Sequence, residues 1–416
     1  MNDLKTCEII SVGTELLLGD ILNTDAQFLA KELAALGLCV LHQSTVGDNH
    51  DRLLELLGQA AKRSDIIILS GGLGPTPDDI TKEVACEFFE KELVLHGESL
   101  ERMSAYFTAK GLVMPETNKK QAMLPEDCVV FNNNNGTAPG LAMEKDGKHI
   151  LLLPGPPREL KPMFYESAVP YLKRFSDKVI ISHNIRTFGI GESAMSETVA
   201  DLLECPNPTV APYAKDGEAL LRVTAMADNE AEAEKLCVPM IEEIRARLSD
   251  YIYGIDCNSI EEAVVPMLIE NKLKLATAES CTGGLIGKRI TNVSGASKVF
   301  DCGIISYSNE IKHRILGVSK EALDKYGAVS AEVAKQMAKG ALKISGADIA
   351  VSVTGIAGPS SDGTSKPVGL SYIALADKYN VWVKELNTSR KDRDYNRFVN
   401  SSNALNMVRL YINKML

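Results

Sequence analysis

The feature that most constrains the fold is an alternation of short apolar runs with amphipathic ones. CEIISVG (7–13) is followed by AQFLAKELAALG (26–37), LCVLHQSTVG (38–47), DRLLELLGQAAKRS (51–64) and DIIILSGG (65–72). A run of five to eight apolar residues suits a strand buried on both faces, and a run with apolar residues three and four apart suits a helix laid over it. Strand and helix in turn predict an α/β fold with a parallel or mixed sheet covered by helices.

The same alternation returns late in the chain. After the helical run SIEEAVVPMLIENK, the segments KLKLATA, VFDCGIISYS, ADIAVSVTG, PVGLSYIALAD and YNVWVKELN read as strands. Between the two regions the pattern changes to one strand (VIISHNIRTFG), one helix (ESAMSETVADLLE), two strands (PTVAPYA, ALLRVTAMA) and a long charged helix (229–250). At 416 residues the chain exceeds what one core holds. We therefore expect three domains, at 1–172, 175–252 (small, α+β) and 257–416 (α/β).

Charge narrows the partners. There are 45 Lys and Arg against 55 Asp and Glu, a net charge of -10, with no basic run. Nucleic acid is thus a poor expectation, because binding it relies on neutralising phosphates. The nine cysteines stand singly with no CxxC pair, which reads as reduced thiols rather than disulfides or a zinc site. No apolar run reaches the roughly 18 to 20 residues of a membrane helix, and the polar start MNDLKTCEIISVG lacks the order of a signal peptide. A cytoplasmic protein without a membrane partner is expected.

Three loops in the first region carry chemistry-bearing residues. In SGGLGPTPDD, Gly71, Gly72 and Gly74 let backbone approach a ligand closely, and Asp78 and Asp79 can hold a divalent cation against phosphates. Glu15, in SVGTELLLGD, would project at the same sheet edge, where ligands of open α/β sheets bind. NNNNGTAPG and LLLPGPPREL come after further strands. The plain alternative is a turn whose Asp78 or Asp79 caps the next helix.

In the third region, TAESCTGGLIG lies between a strand and a helix, the layout of an anion site. Cys281 is a candidate nucleophile, since thiolates near helix N-termini ionise more readily; a buried, inert thiol is the alternative. Ser297, Tyr307 and Lys312 sit within sixteen residues, and a neutral lysine can activate a serine. His313 adjoins Lys312, but none of the six histidines lies beside AESCTGG in sequence, so no Ser-His-Asp triad is indicated.

SVGTELLLGDILNTDA, VGDN, SGGLGPTPDDITKE, NGTAPG and LLPGPP resemble the N-terminal domain of the CinA (competence/damage-inducible protein) family. That resemblance implies a fold similar to the molybdopterin-binding proteins of molybdenum-cofactor synthesis. It also implies ADP-ribose pyrophosphatase activity with a divalent metal such as Mg and with potassium. Asp78, Asp79 and Glu15 would then be metal ligands, and Gly71, Gly72, Gly74, Thr76 and Thr137 phosphate contacts. AESCTGG, YSNEIK, GAVS, VSVTGIAGP and KPVG, with the Arg393 region, resemble the C-terminal CinA domain, whose relatives are nicotinamide-nucleotide amidases (NMN deamidases).

The family's serine, lysine and tyrosine would fall on Ser297, Lys312 and Tyr307. Relatives have Gly-Ser-Ser where this chain has Gly295-Ala296-Ser297, so the nucleophile position is kept. Glu279, Ser280, Thr282, Gly283, Gly284, Thr354, Gly355 and Arg393 would cradle substrate, with no cofactor needed. The middle segment is similar to a KH-type module. The implied whole is a homodimeric enzyme of pyridine-nucleotide recycling acting on NMN and ADP-ribose. The alternatives are an N-terminal module that binds a pterin or nucleotide without catalysis, and an accessory protein of competence or DNA damage.

Overall fold

A computed structural model describes residues 5–176, 178–215, 217–361 and 363–416. The chain divides into two compact units, 1–182 with 224–236, and 183–223 with 237–416.

The first unit holds a six-stranded sheet in the order Cys39–Val46, Thr6–Val12, Ile66–Ser70, Lys148–Leu153, Gly140–Lys145 and Val129–Phe131. The first four strands are parallel and the last two antiparallel. Successive side chains of a strand face opposite ways, and each face here has its own core. Ile10, Val12, Ile67 and Leu69 pack with Leu53, Leu57 and Val84 from helices His50–Arg63 and Thr81–Phe88. Cys7, Ile9, Ile66 and Ile68 pack with Leu29, Leu33 and Leu160 from helices Thr24–Ala35 and Pro157–Met163. Burial on both sides explains why Ile66–Leu69 is an unbroken apolar run.

The middle of the chain runs strand Val179–Thr187, helix Glu192–Thr198, strands Thr209–Lys215 and Glu218–Ala227, helix Glu230–Leu248 and strand Ile252–Ile255, the α+β set expected.

The second unit carries a five-stranded sheet in the order Phe300–Ile305, Leu275–Glu279, Ile349–Gly355, Leu370–Ala376 and Val381–Asn387. The first three strands are parallel and the last two antiparallel. On one face, Leu275, Val351, Val353, Ile373 and Leu375 meet helices Ile260–Glu270, Leu285–Thr291 and Arg393–Ile412. The other face is lined by alanines at 276, 278, 350, 374 and 376, and against them helix Ala331–Ser345 lays Val333, Ala334, Met337, Ala338 and Ala341. Small residues on both sides let this helix approach closely. The same helix also passes close to helix Asn309–Leu316, where a Cβ at Gly340 would lie 2.0 Å from the Leu316 carbonyl oxygen.

Candidate active sites

In the second unit the parallel register pairs Glu279 with Ile305, so the two strands end side by side. The Ser306 N–H donates to the Glu279 carbonyl at 2.8 Å. The two strand ends therefore bring together the loop Ser280 to Gly284 and the turn Ser306 to Ser308, which opens helix Asn309–Leu316. Lys312 lies in the first turns of that helix. Helical side chains lean towards the N-terminus, and the Lys312 ammonium reaches back to the Ser306 carbonyl (2.8 Å), the Tyr307 carbonyl (3.2 Å) and Ser280 Oγ (2.9 Å).

Lys312 is only 1% exposed, and burial pulls its pKa from 10.5 to about 8, against a smaller opposing effect of Cys281. Three acceptors surround the nitrogen, so the ammonium is fully satisfied, and loss of one proton leaves a workable neutral amine. Its two N–H bonds match the two carbonyls, which can only accept, and its lone pair is left for the Ser280 hydroxyl proton.

Ser297 is not part of this group. It lies on the exposed short turn Ala296–Lys298, and no hydrogen bond joins it to Lys312. The structure thus pairs Lys312 with Ser280 where the family pattern suggested Ser297. Tyr307 contributes its main-chain carbonyl to Lys312, while its phenol, on a residue 62% exposed, accepts from Arg393 Nη2 at 3.0 Å. Arg393 also donates to the Gly358 carbonyl at 2.9 Å.

The expected cradle proves largely internal. The Glu279 carboxylate, buried beneath the loop, accepts from the N–H groups of Gly284 (2.9 Å), Ile286 (3.1 Å) and Gly287 (2.9 Å). It caps helix Leu285–Thr291 from below, and its oxygens are engaged within the fold. The Gly283 N–H is held by the Ser280 carbonyl at 3.1 Å. Gly283 and Gly284 take left-handed φ values of 59° and 91°, which lets the loop wrap over Glu279. The Thr354 hydroxyl donates to the Ala328 carbonyl at 2.8 Å, and Gly355 has no room for a Cβ against Ser371. Thr282 is fully buried, and its hydroxyl has no partner among the described residues.

Cys281 is excluded as nucleophile by its surroundings. It belongs to the apolar core, and burial pushes its thiol up to about 12. Sequence reasoning missed Arg397, whose Nε and Nη2 hold the Thr282 carbonyl at 3.3 and 2.9 Å. Its spacing of four residues from Arg393 on one helix was the available signal.

In the first unit a cleft of about 720 Å³ opens at the carboxyl ends of the parallel strands. Gly71, Gly72, Gly74, Asp78, Asp79, Glu15 and Thr137 all line it. Several of these are occupied within the fold. The Gly71 N–H donates to the Leu153 carbonyl at 3.1 Å. Thr76 donates to the Asp79 carboxylate through both its N–H (2.9 Å) and its hydroxyl, so neither donor is available to a phosphate in this arrangement. The Asp79 carboxylate occupies the space a Cβ would take at Gly74, so a side chain there would displace it from Thr76. Lys120 and Gln121 fix the loop through the carbonyls of Thr76 and Leu73 at 3.1 Å each.

Six carboxylates line this cleft, Glu15, Asp25, Asp48, Asp78, Asp79 and Glu159, and among the described residues no lysine or arginine does. Among those same residues no three His, Cys, Asp or Glu side chains converge as a metal cage. The donor set suits an ion held by one or two carboxylates and completed by ligand phosphate oxygens, the usual mode of Mg²⁺.

Residues 257–412 match the family model "CinA C-terminal domain", residues 8–174 "Probable molybdopterin binding domain" and residues 182–254 "Damage-inducible protein CinA KH domain". A CinA-like protein of Dictyoglomus thermophilum is 52% identical over 97% of this chain and 98% of its own length. A CinA-like protein of Kosmotoga olearia is 51% identical over 91% and 92%. Among solved structures, the competence/damage inducible protein CihA of Agrobacterium tumefaciens is 40% identical, covering 37% of this chain and 96% of that one, with a TM-score of 0.35. No described helix is long and apolar enough to cross a membrane.

Proposed function

The chain belongs to the CinA family, and from that premise we propose that its second unit hydrolyses the carboxamide of nicotinamide mononucleotide to the nicotinate form and ammonia. The observation that supports this is the buried Lys312 amine 2.9 Å from Ser280 Oγ. Ser280 Oγ attacks the carboxamide carbon while its proton passes to Lys312 Nζ. Lys312 then donates that proton to the departing nitrogen, which leaves as ammonia from an acyl-Ser280 ester. A water molecule deprotonated by Lys312 cleaves the ester, releasing the carboxylic acid and restoring the hydroxyl. Arg393 and Arg397 hold the two loops that carry the pair, and their positive charge suits the 5′-phosphate.

The test is ammonia release from nicotinamide mononucleotide by the purified chain. Activity should vanish in Ser280→Ala and in Lys312→Met and persist in Ser297→Ala. Full activity in Ser280→Ala would remove the assignment.

For the first unit we propose binding and hydrolysis of a nucleoside diphosphate of the ADP-ribose type. A diphosphate entering a cleft with six carboxylates and no described basic side chain requires added cations. Glu15 and Asp78 would hold a divalent ion, which would neutralise phosphate charge and favour attack by water. Metal-dependent AMP release from ADP-ribose tests this reading. Binding without AMP release under any divalent ion would leave the cleft a non-catalytic module.

A further inference from the structure

The first cleft contains a carboxyl group that no described residue satisfies. Asp25 lies in the first turn of helix Thr24–Ala35, where an acidic side chain ordinarily faces free N–H groups. Here Asn23 takes that role, accepting from the Ala26 N–H at 3.0 Å and donating to Ser11 Oγ at 2.9 Å. Asp25 instead lines the cleft, and its Oδ1 is buried without a hydrogen-bond partner. Lys161 is the opposing charge that acts on it, at a distance and without a hydrogen bond. Three other acids of the cleft are better provided for: Asp48 receives the N–H and hydroxyl of Thr14 (2.9 and 2.8 Å), Asp79 receives Thr76, and Glu159 receives the Asn133 amide at 2.9 Å.

A buried acceptor without a donor costs about 1–3 kcal/mol, and native folds rarely keep one without a use. Phosphate cannot supply the missing donor, since it only accepts when ionised and is repelled by a carboxylate. A cation or a hydrogen-bond donor can meet Asp25; the divalent ion of this cleft is assigned to Glu15 and Asp78, which leaves Asp25 for a group that presents N–H or O–H.

We propose that Asp25 is a specificity-determining residue of the first cleft, receiving a hydroxyl or amino donor from the sugar or base of a nucleoside-diphosphate ligand. This rests on the reading of that cleft as a nucleotide site. It sets the ligand's orientation: phosphates lie towards the glycine loop at 71–74, and the donor-bearing end lies where helix Thr24–Ala35 meets helix Pro157–Met163.

The experiment is calorimetric binding of the non-cleavable α,β-methylene analogue of ADP-ribose, with Mg²⁺, to the full chain and to Asp25→Asn and Asp25→Ser. Versions of the analogue lacking one ribose hydroxyl, or with hypoxanthine in place of adenine, separate sugar from base as the donor. The wild type should lose about tenfold in affinity on one of these changes, as expected for a hydrogen bond to a charged group. Both variants should bind the parent analogue about tenfold more weakly and be indifferent to that same change. Melting temperatures of the variants should equal or exceed the wild type's, because a carboxylate charge without a hydrogen-bond partner has been removed. Variants that bind and discriminate as the wild type does overturn the role of Asp25 and leave the nucleotide reading intact. No binding by any form overturns the nucleotide reading and the proposal with it.

Discussion

Lys312 Nζ stands 2.9 Å from Ser280 Oγ, across 32 positions of sequence, inside a protein where both residues are buried. Replacing Ser280 with alanine should lower kcat on nicotinamide mononucleotide by about 10³ or more, the scale for loss of a covalent nucleophile. Ser297→Ala should stay within about twofold of wild type, since it lies on an exposed turn and touches neither partner. Steady-state ammonia release measures both.

The lysine ties activity and stability to pH. Its folded pKa near 8 lies below its ordinary 10.5. Activity should rise as pH passes through about 8, where the amine becomes a base, and then level off. Between 8 and 10.5 the unfolded chain binds the proton that the folded chain has released, so this group adds stability as pH rises through that window. Below that window its cost is constant. Denaturant midpoints across the window should climb for wild type by an increment that Lys312→Met lacks.

Cys281, with its thiol pushed up to about 12, is protonated at neutral pH. Cys281→Ala should retain amidase turnover, and brief iodoacetamide treatment should leave it unchanged. Loss of activity on alkylation at Cys281 would restore the thiol as a candidate.

Glu279 accepts three main-chain N–H groups while buried. Glu279→Ala strands those donors and should cost about 3 kcal/mol of stability, read as a lowered melting temperature. A substrate-contacting residue without this role would change KM and leave the melting temperature alone.

Chelation should separate the two activities. With six carboxylates and no described basic residue lining its cleft, the first unit should lose nucleotide binding in EDTA and regain it with Mg²⁺. Ammonia release by the second unit should be unaffected, because Ser280 and Lys312 supply nucleophile and base without an ion.

Much of the architecture was legible because strands buried on both faces leave continuous apolar runs such as IIILS, and amphipathic helices leave spaced ones. The loops at strand ends were legible for the same reason. The roles inside them were not. Glu279 reads as a ligand group in AESCTGG, and only the left-handed turn at Gly283 and Gly284 shows that it folds under its own helix. Nothing along the chain singles out Asp25, and only the placement of Asn23 shows that the helix does not need it.

By itself the sequence determined the α/β alternation, the strand–loop–helix position of TAESCTGGLIG and the presence of a lysine just inside the helix after the next strand. Which serine that lysine serves was decided by tertiary structure. The family resemblance points to Ser297, fifteen positions away, but parallel pairing sets Glu279 against Ile305 and so delivers Ser280 to the edge where Ser306 begins the turn to Lys312. Strand register is a property of the assembled sheet, fixed by which faces are buried, and a reading along the chain cannot supply it.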